Sequence, residues 1–355
     1  MGPRSPDRAG GTLMELLVGL LVAFTLAAVP MLLYALILWW FDRYEKEPLG
    51  LITAAFFWGA VPAVILSLVS QIVLDVPLYS LVEPGLGADL ISTSLIAPLT
   101  EEPFKGLALL LLLLLFRREI DSPLDGILYG GLVGFGFATT ENLFYFLHAF
   151  DIGGISGTLR LALFRAVLFG LNHALFTGCT GMGIALARTS PRWAVKIVAP
   201  FLGLGAGITF HALHNTGATL AGATCWPLLF SIASDWGGVL MLLVILIWAS
   251  VRERAWIVQY LQGEVERGVI SAADYQIIQS YRARVRERMR TLLRGDVVRW
   301  WRLGHYYRLA TELAFAKHRR SNFRRERETH RRIQRLRRDL LRLRALLGDL
   351  TEEEA

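Results

Sequence analysis

Apolar runs long enough to cross a bilayer recur through this chain, and no other feature narrows its fold so far. A spanning helix needs roughly 20 mostly apolar residues. Seven stretches meet that length, near 13–40, 49–76, 89–116, 125–149, 159–187, 194–221 and 226–250. Inside lipid every backbone polar group needs an internal partner, and a helix supplies all of them within one segment. The pattern therefore predicts an all-α polytopic transmembrane bundle, in keeping with 54% hydrophobic residues and a mean hydropathy of +0.45. The first run is longer than the apolar region of a secretory signal and ends in WWFDRYEKEP, with no small-residue cleavage site, so it is read as a retained span. Two cysteines, Cys179 and Cys225, form neither a disulfide framework nor a CxxC metal motif.

Charge sorts the connections between these runs. Arg43 and Lys46 follow the first, Arg117 and Arg118 the third, Arg188 and Arg192 the fifth, and an arginine-rich tail the seventh, whereas the even connections carry no Lys or Arg. The positive-inside rule then places the amino terminus outside and the tail in the cytoplasm, with Arg4 and Arg8 as a minor opposing term. From Val251 onward the chain holds 25 Lys and Arg against 14 Asp and Glu, against 12 and 16 before it. Three parts are expected: an N-terminal tail over 1–11, a transmembrane domain over 12–250, and an Arg-rich helical cytoplasmic domain over 251–355. In the last, Leu, Ile and Val recur at three- and four-residue steps between arginines, the pattern of amphipathic helices. Such a tail suits contact with anionic lipid or a cytoplasmic protein. It lacks the aromatic-interleaved module of a nucleic-acid binder, so no nucleic-acid partner is expected. His305, His318 and His330 are read as surface residues of the tail.

The apolar runs also carry ionisable residues. Segment three holds Glu101, Glu102 and Lys105; segment four holds Glu141; segment five holds His173; segment six holds His211, His214 and Asn215. At about 1.5 Å per residue, Glu101 lies about 18 Å below the outer end of its segment, Glu141 about 12 Å, His173 about 20 Å, His211 about 15 Å and Asn215 about 9 Å. Each Asp or Lys at a helix centre costs about 2.5 to 3.5 kcal/mol on insertion scales. Four helices therefore bring costly groups to one layer, where they are expected to face one another across a wet cavity. Gly126, Gly130 and Gly134, and Gly203, Gly205 and Gly207, allow close helix approach. Pro103 removes a backbone donor beside the carboxylates and predicts a kink that frees the carbonyl of Leu99.

Two carboxylates and two imidazoles in a recessed cavity suit peptide hydrolysis. One carboxylate draws a proton from water, imidazoles hold a metal or stabilise an oxyanion, and an amide such as Asn215 orients the tetrahedral species. Neutral imidazole and carboxylate are ordinary zinc ligands, but HExxH is absent, so a metal site has to be assembled from different helices. The plainer reading is a buried ion pair of the carboxylates with Lys105 and Arg165. A proton- or ion-coupled transporter is the competing function, since intramembrane Glu, His and Lys also mark ion pathways; it would favour an internal repeat, and none is evident. His214 is expected to donate to a neighbouring backbone group, and Asp235 fits no single role.

The motifs resemble those of the PrsW-type intramembrane proteases. EEPFK fits the family's EExxK signature, GFGFATTENLFY its glycine-rich segment ending in Glu-Asn, NHALFTG its isolated histidine helix and HALHN its HxxxN motif; DRYEKEP after the first run also matches. The similarity covers roughly residues 38 to 220 in the expected order. The family is related to the CAAX prenyl protease and bacteriocin-processing superfamily, whose FxxxH motif here reads Phe137-x-x-x-Glu141. The resemblance implies a multi-pass endopeptidase of the cell membrane acting on membrane-anchored proteins, an anti-sigma factor among them. It implies Glu101 as the base, Glu102 as its partner, and His173 and His211 as metal ligands or oxyanion stabilisers, followed by Glu141 as a catalytic residue or metal ligand and Asn215 as a catalytic residue. A zinc ion fits that set, and so does a glutamate-activated water without metal.

Overall fold

The computed structural model describes residues 6–44, 46–117, 119–322 and 326–348. Arg4, Glu45, Arg118 and the side chain of Arg8, all used above, lie outside what is described. Among the described residues the structure is helical and contains no strand. Among the described residues, five stretches are long and apolar enough to cross a membrane: Leu13–Phe41, Leu49–Leu81, Pro123–Thr189, Trp193–Leu220 and Trp226–Glu266. The difference from seven arises at two places. Segments four and five join into one stretch of 67 residues. Segment three does not qualify on composition because Glu101, Glu102 and Lys105 lie within it.

The chain divides into two compact units, residues 1–40 with 47–246, and residues 41–46 with 247–355. In the first, α1 (Pro6–Phe41) turns Ala23, Ala27, Met31 and Ala35 inward and leaves Leu13, Leu17, Leu21 and Phe24 exposed. Small residues inward and large apolar residues outward is the pattern of a helix packed on protein and bathed in lipid. α2 (Leu49–Trp58) and α3 (Val64–Leu81) are joined by a π-helical turn, Gly59–Ala63, containing Pro62. At that turn the Ala60 carbonyl accepts a 2.6 Å hydrogen bond from Thr140, an answer to the polar-group problem that irregular backbone raises at depth. α4 (Leu86–Ile91) passes through a second π-helical turn, Ser92–Ile96, into α5 (Ala97–Leu115). α5 continues through Pro103, and Trp58 Nε1 donates to the Phe104 carbonyl at 3.0 Å.

α6 (Pro123–Ala162) starts at a capping box in which Ser122 accepts from the backbone N–H of Asp125 and Asp125 accepts from that of Ser122. The connection expected over 150–158 is helical except at Gly154, whose φ of 57° and ψ of −156° break the helix. A third π-helical turn, Leu163–Leu168, leads to a short non-helical stretch and then α7 (Asn172–Thr189), α8 (Trp193–Leu220) and α9 (Trp226–Glu266). Segment five is therefore broken just before His173, a position where irregular backbone commonly accompanies function. Buried Tyr129 on α6 donates at 2.6 Å to buried Glu47, the last acid of DRYEKEP.

The second unit contains the end of α9, then α10 (Ala272–Ile278), α11 (Tyr281–Leu293), α12 (Val297–Asn322) and α13 (Glu326–Leu347). Its core includes Ile257, Leu261, Leu303, Tyr306, Leu313, Ile333 and Leu340. Buried Glu264 takes Lys317 at 2.7 Å and Arg337 through two hydrogen bonds of 2.7 and 2.8 Å. The tail is thus a packed helical unit. Its His318 is half-buried with its ring stacked on Trp256 at 3.9 Å, unlike the surface position expected for it.

Candidate active site

The glycine steps set up the site by letting three helices touch backbone to backbone. A Cβ added at Gly126, Gly130 or Gly134 would collide with the carbonyls of Gly181, Thr177 and His173, a register of four residues down α7. On the other side of α7, a Cβ at Gly203 or Gly207 would meet the carbonyls of Cys179 and Phe176 at 2.5 Å. Gly205, grouped with them in the sequence, faces open space because it lies on another side of α8. Close backbones bring the first turn of α7 within side-chain reach of both α5 and α8.

Lys105 stands at the centre of the resulting cluster and is fully buried. Its ammonium lies 3.0 Å from Glu101 Oε2, 2.8 Å from Glu102 Oε1 and 3.0 Å from His173 Nδ1, with the Phe137 ring centroid 3.8 Å away. His211 Nδ1 is 3.0 Å from Glu102 Oε1, and its Nε2 is 3.8 Å from Glu101 Oε2. The His211 ring stacks on Phe176 at 4.8 Å. Thr177 donates to Glu102 Oε2 at 3.1 Å, and Gln71 donates to Glu101 Oε1 at 3.1 Å. The two carboxylates therefore differ. Glu102 has no exposed surface, whereas Glu101 borders a cavity of about 560 Å³ that is also lined by Glu141, His173, His214 and Asn215.

An outer ring surrounds this cluster. Glu141 Oε2 is 2.7 Å from His173 Nε2, and its Oε1 is 2.9 Å from Arg165. Arg165 also donates to Asn142 at 2.9 Å and lies over the Tyr145 ring at 3.7 Å. Arg165 is thus paired with Glu141, while Lys105 alone of the two cations sits on the Glu101–Glu102 pair. Asn215 donates to the Thr93 carbonyl at 2.7 Å, at the π-helical turn before α5. His214, expected to bond to backbone, instead has Asp235 Oδ2 at 2.8 Å and Asn172 Nδ2 at 2.9 Å from its Nδ1. Gln71, Thr177 and Asn172 were not singled out in the sequence; each is a neutral polar residue inside an apolar run, which alone gives no signal.

The donor set suits a metal ion. Glu101, Glu102, His173 and His211 each offer a ligand atom, all within 4.8 Å of one another. Three of these residues already surround one cation, the Lys105 ammonium. Carboxylate oxygen and imidazole nitrogen are the donors that zinc-like ions take. Glu141, expected among the ligands, stands outside this group, on the opposite ring nitrogen of His173. There it corresponds to the carboxylate that orients a ligating imidazole.

Comparison with known proteins agrees with this chemistry. Residues 47–251, more than half the chain, match the model of the PrsW family intramembrane metalloprotease. The chain is 26% identical over 167 residues to Protease PrsW of Geobacillus kaustophilus, covering 45% of this chain and 67% of that protein. It is 29% identical over 163 residues to Protease PrsW of Clostridioides difficile, covering 46% of this chain and 64% of that protein. For Protease PrsW of Bacillus subtilis the figures are 28% over 168 residues, 45% and 69%. The match thus spans about two thirds of the length of these relatives. No solved structure matches the chain significantly. With a family match over more than half its length and the paired glutamates and histidines brought together, the chain belongs to the PrsW family of intramembrane metalloproteases.

Proposed function

We propose that the cavity bordered by Glu101 is where a peptide bond of a membrane-anchored protein is hydrolysed, in a multi-pass protein of the cell membrane whose amino terminus is outside and whose tail is cytoplasmic. The observation that carries this reading is the meeting of Glu101, Glu102, His173 and His211 from three helices, with Glu101 and His173 at the wall of one cavity. Glu101 acts as the base: it alone of the carboxylate pair borders the cavity, and Gln71 and Lys105 fix both its oxygens. It takes a proton from water as the water oxygen bonds to the scissile carbonyl carbon. It returns that proton to the departing nitrogen as the C–N bond breaks. Glu102, buried and bonded to His211 Nδ1, orients that imidazole and leaves its other nitrogen toward Glu101. Glu141 does the same for His173 through Nε2. Asn215 holds the π-helical turn at Thr93 against the cavity and so acts by positioning.

His173 and His211, with an oxygen of buried Glu102, would hold a zinc ion, which when bound supplies Lewis acidity toward water and the carbonyl oxygen and leaves Glu101 as the base. Residues 12–250 are assigned as the proteolytic domain, 1–11 as a tail and 251–355 as the cytoplasmic domain. Single-span proteins of the anti-sigma-factor type are the substrate class implied by the resemblance. The family gives the transporter reading no support. The test compares membrane proteomes of cells carrying the wild-type chain or Glu101→Gln. Trimmed single-span proteins are expected only with the wild type, and identical proteomes would overturn the reading.

A further inference from the structure

The second unit presents an amphipathic helix with part of its apolar face turned outward. α11 buries Arg284 and Thr291, while Val285, Met289, Leu292 and Leu293 are exposed, Leu293 by 82%. Their spacing of four, three and one residues places these four on one side of the helix. The chain then turns through Gly295, at φ 78°, into α12, whose first residues Val297, Val298 and Trp301 are exposed as well, Trp301 by 62%. Arg282, Arg286 and Arg290, exposed and four residues apart, form a row beside the apolar stripe, and exposed Arg294 continues the charge into the turn. On this stretch Glu287 lies 3.8 Å from Arg290, and Asp296 accepts from the backbone N–H of Arg299 at 2.8 Å.

A helix of a soluble globule turns its apolar stripe to the core. An outward apolar stripe edged by arginines is instead the face that an in-plane interfacial helix lays into the boundary between headgroups and acyl chains. Trp301 at its end suits the same boundary, where indole rings concentrate. The arginines specify the charge of the surface, since anionic headgroups attract them, by roughly fivefold in association for each one. α9 is one helix that begins in the last apolar span and ends in this unit, so the patch is tethered by the chain to a bilayer-embedded segment. We propose that α11 and the first turn of α12 are a second membrane anchor, which docks on an anionic lipid surface. The anchor is independent of the peptidase reading, because it uses none of the residues of the candidate active site.

The test uses the full-length chain with Val298→Cys in a Cys225→Ser background, Cys179 being buried. A fluorescent label at position 298 is read in nanodiscs of phosphatidylglycerol and phosphatidylcholine, or of phosphatidylcholine alone. Quenching by nitroxide-bearing lipid is expected in the anionic discs. It should fall at least threefold in the neutral discs, on raising salt, and in an Arg282→Gln/Arg286→Gln/Arg290→Gln variant whose circular dichroism is unchanged. The salt arm needs no substitution among the arginines, so it decides the matter even if that variant misfolds. Equal access of a water-borne quencher in both disc types would overturn the proposal. Protection that instead follows protein concentration, with crosslinks between chains, would overturn it too and assign the face to a second copy.

Discussion

Lys105 has no exposed surface, and its ammonium has two carboxylates, an imidazole nitrogen and an aromatic face as neighbours. Removing one partner of such a buried set leaves uncompensated charge, at a cost of roughly 3–5 kcal/mol. Lys105→Met is therefore expected to lower the melting temperature in detergent sharply. Added zinc should restore part of the loss by binding among the remaining donors. A melting temperature that ignores zinc would show that those donors do not take a divalent ion. A second residue-scale prediction concerns His318, whose pKa burial depresses to about 4, with Arg252 and Arg319 adding to the effect. A base depressed in the folded state lets the unfolded chain bind more protons between about pH 6.5 and about pH 4. Its contribution to stability is complete above that window and is lost as the pH falls through it. His318→Phe, which keeps a ring against Trp256, should flatten this part of the stability profile of the tail unit, followed by proteolysis between residues 247 and 348. The residues legible in the sequence were those whose presence in lipid is costly: Glu101, Glu102, His173 and His211. Gln71 and Thr177 cost little there, and only coordinates show what they hold.

Helix contact without side chains is the device that places His173. The carbonyl oxygen of His173 lies only 2.2 Å from where a Cβ on Gly134 would sit, and that of Thr177 only 2.4 Å from one on Gly130. Gly134→Ala must push α6 and α7 apart, and overpacking of this kind costs typically 1–3 kcal/mol. It should lower both the melting temperature and the rate of cleavage, because the displaced turn carries His173. Gly205→Ala is the matched control: nothing lies within 4 Å of its added Cβ, so it should leave both unchanged or raise stability slightly. Retained activity in Gly134→Ala would mean that the register of α6 on α7 is not what positions the imidazole. The GxxxG steps announced this contact in the sequence. The break before α7 was not announced, since Leu163–Leu168 and the residues after it read as part of one apolar run. Hydropathy reports whether a segment prefers lipid and is blind to a change from α to π geometry within it. The same blindness hid the π-helical turns at 59–63 and 92–96, the second of which Asn215 secures.

At the scale of the whole chain, every residue assigned a part in hydrolysis lies between Gln71 and Asn215, inside the first compact unit. Among the described residues, the tail contributes no donor to the Glu101–Glu102–His173–His211 group. The second unit was only partly legible: its arginines and three- and four-residue periods predicted helices, but not the buried Glu264 that ties α9 to Lys317 on α12 and Arg337 on α13. That bond is set by a tertiary meeting of three helices, and a local period carries no record of it. Hydrolysis and tail thus separate by residue content, which makes a definite expectation for truncation. A chain lacking residues 260–355 should cleave a short single-span model peptide in detergent at a rate within about threefold of the full chain. Circular dichroism would establish that its helices persist. Docking of substrate and lipid preference are free to change, because they draw on surfaces that the truncation removes. Loss of all cleavage by a truncated chain that keeps its helical content would place part of the chemistry, or of its positioning, in the second unit. Reading Glu101→Gln in the same assay sets the floor against which that loss is judged.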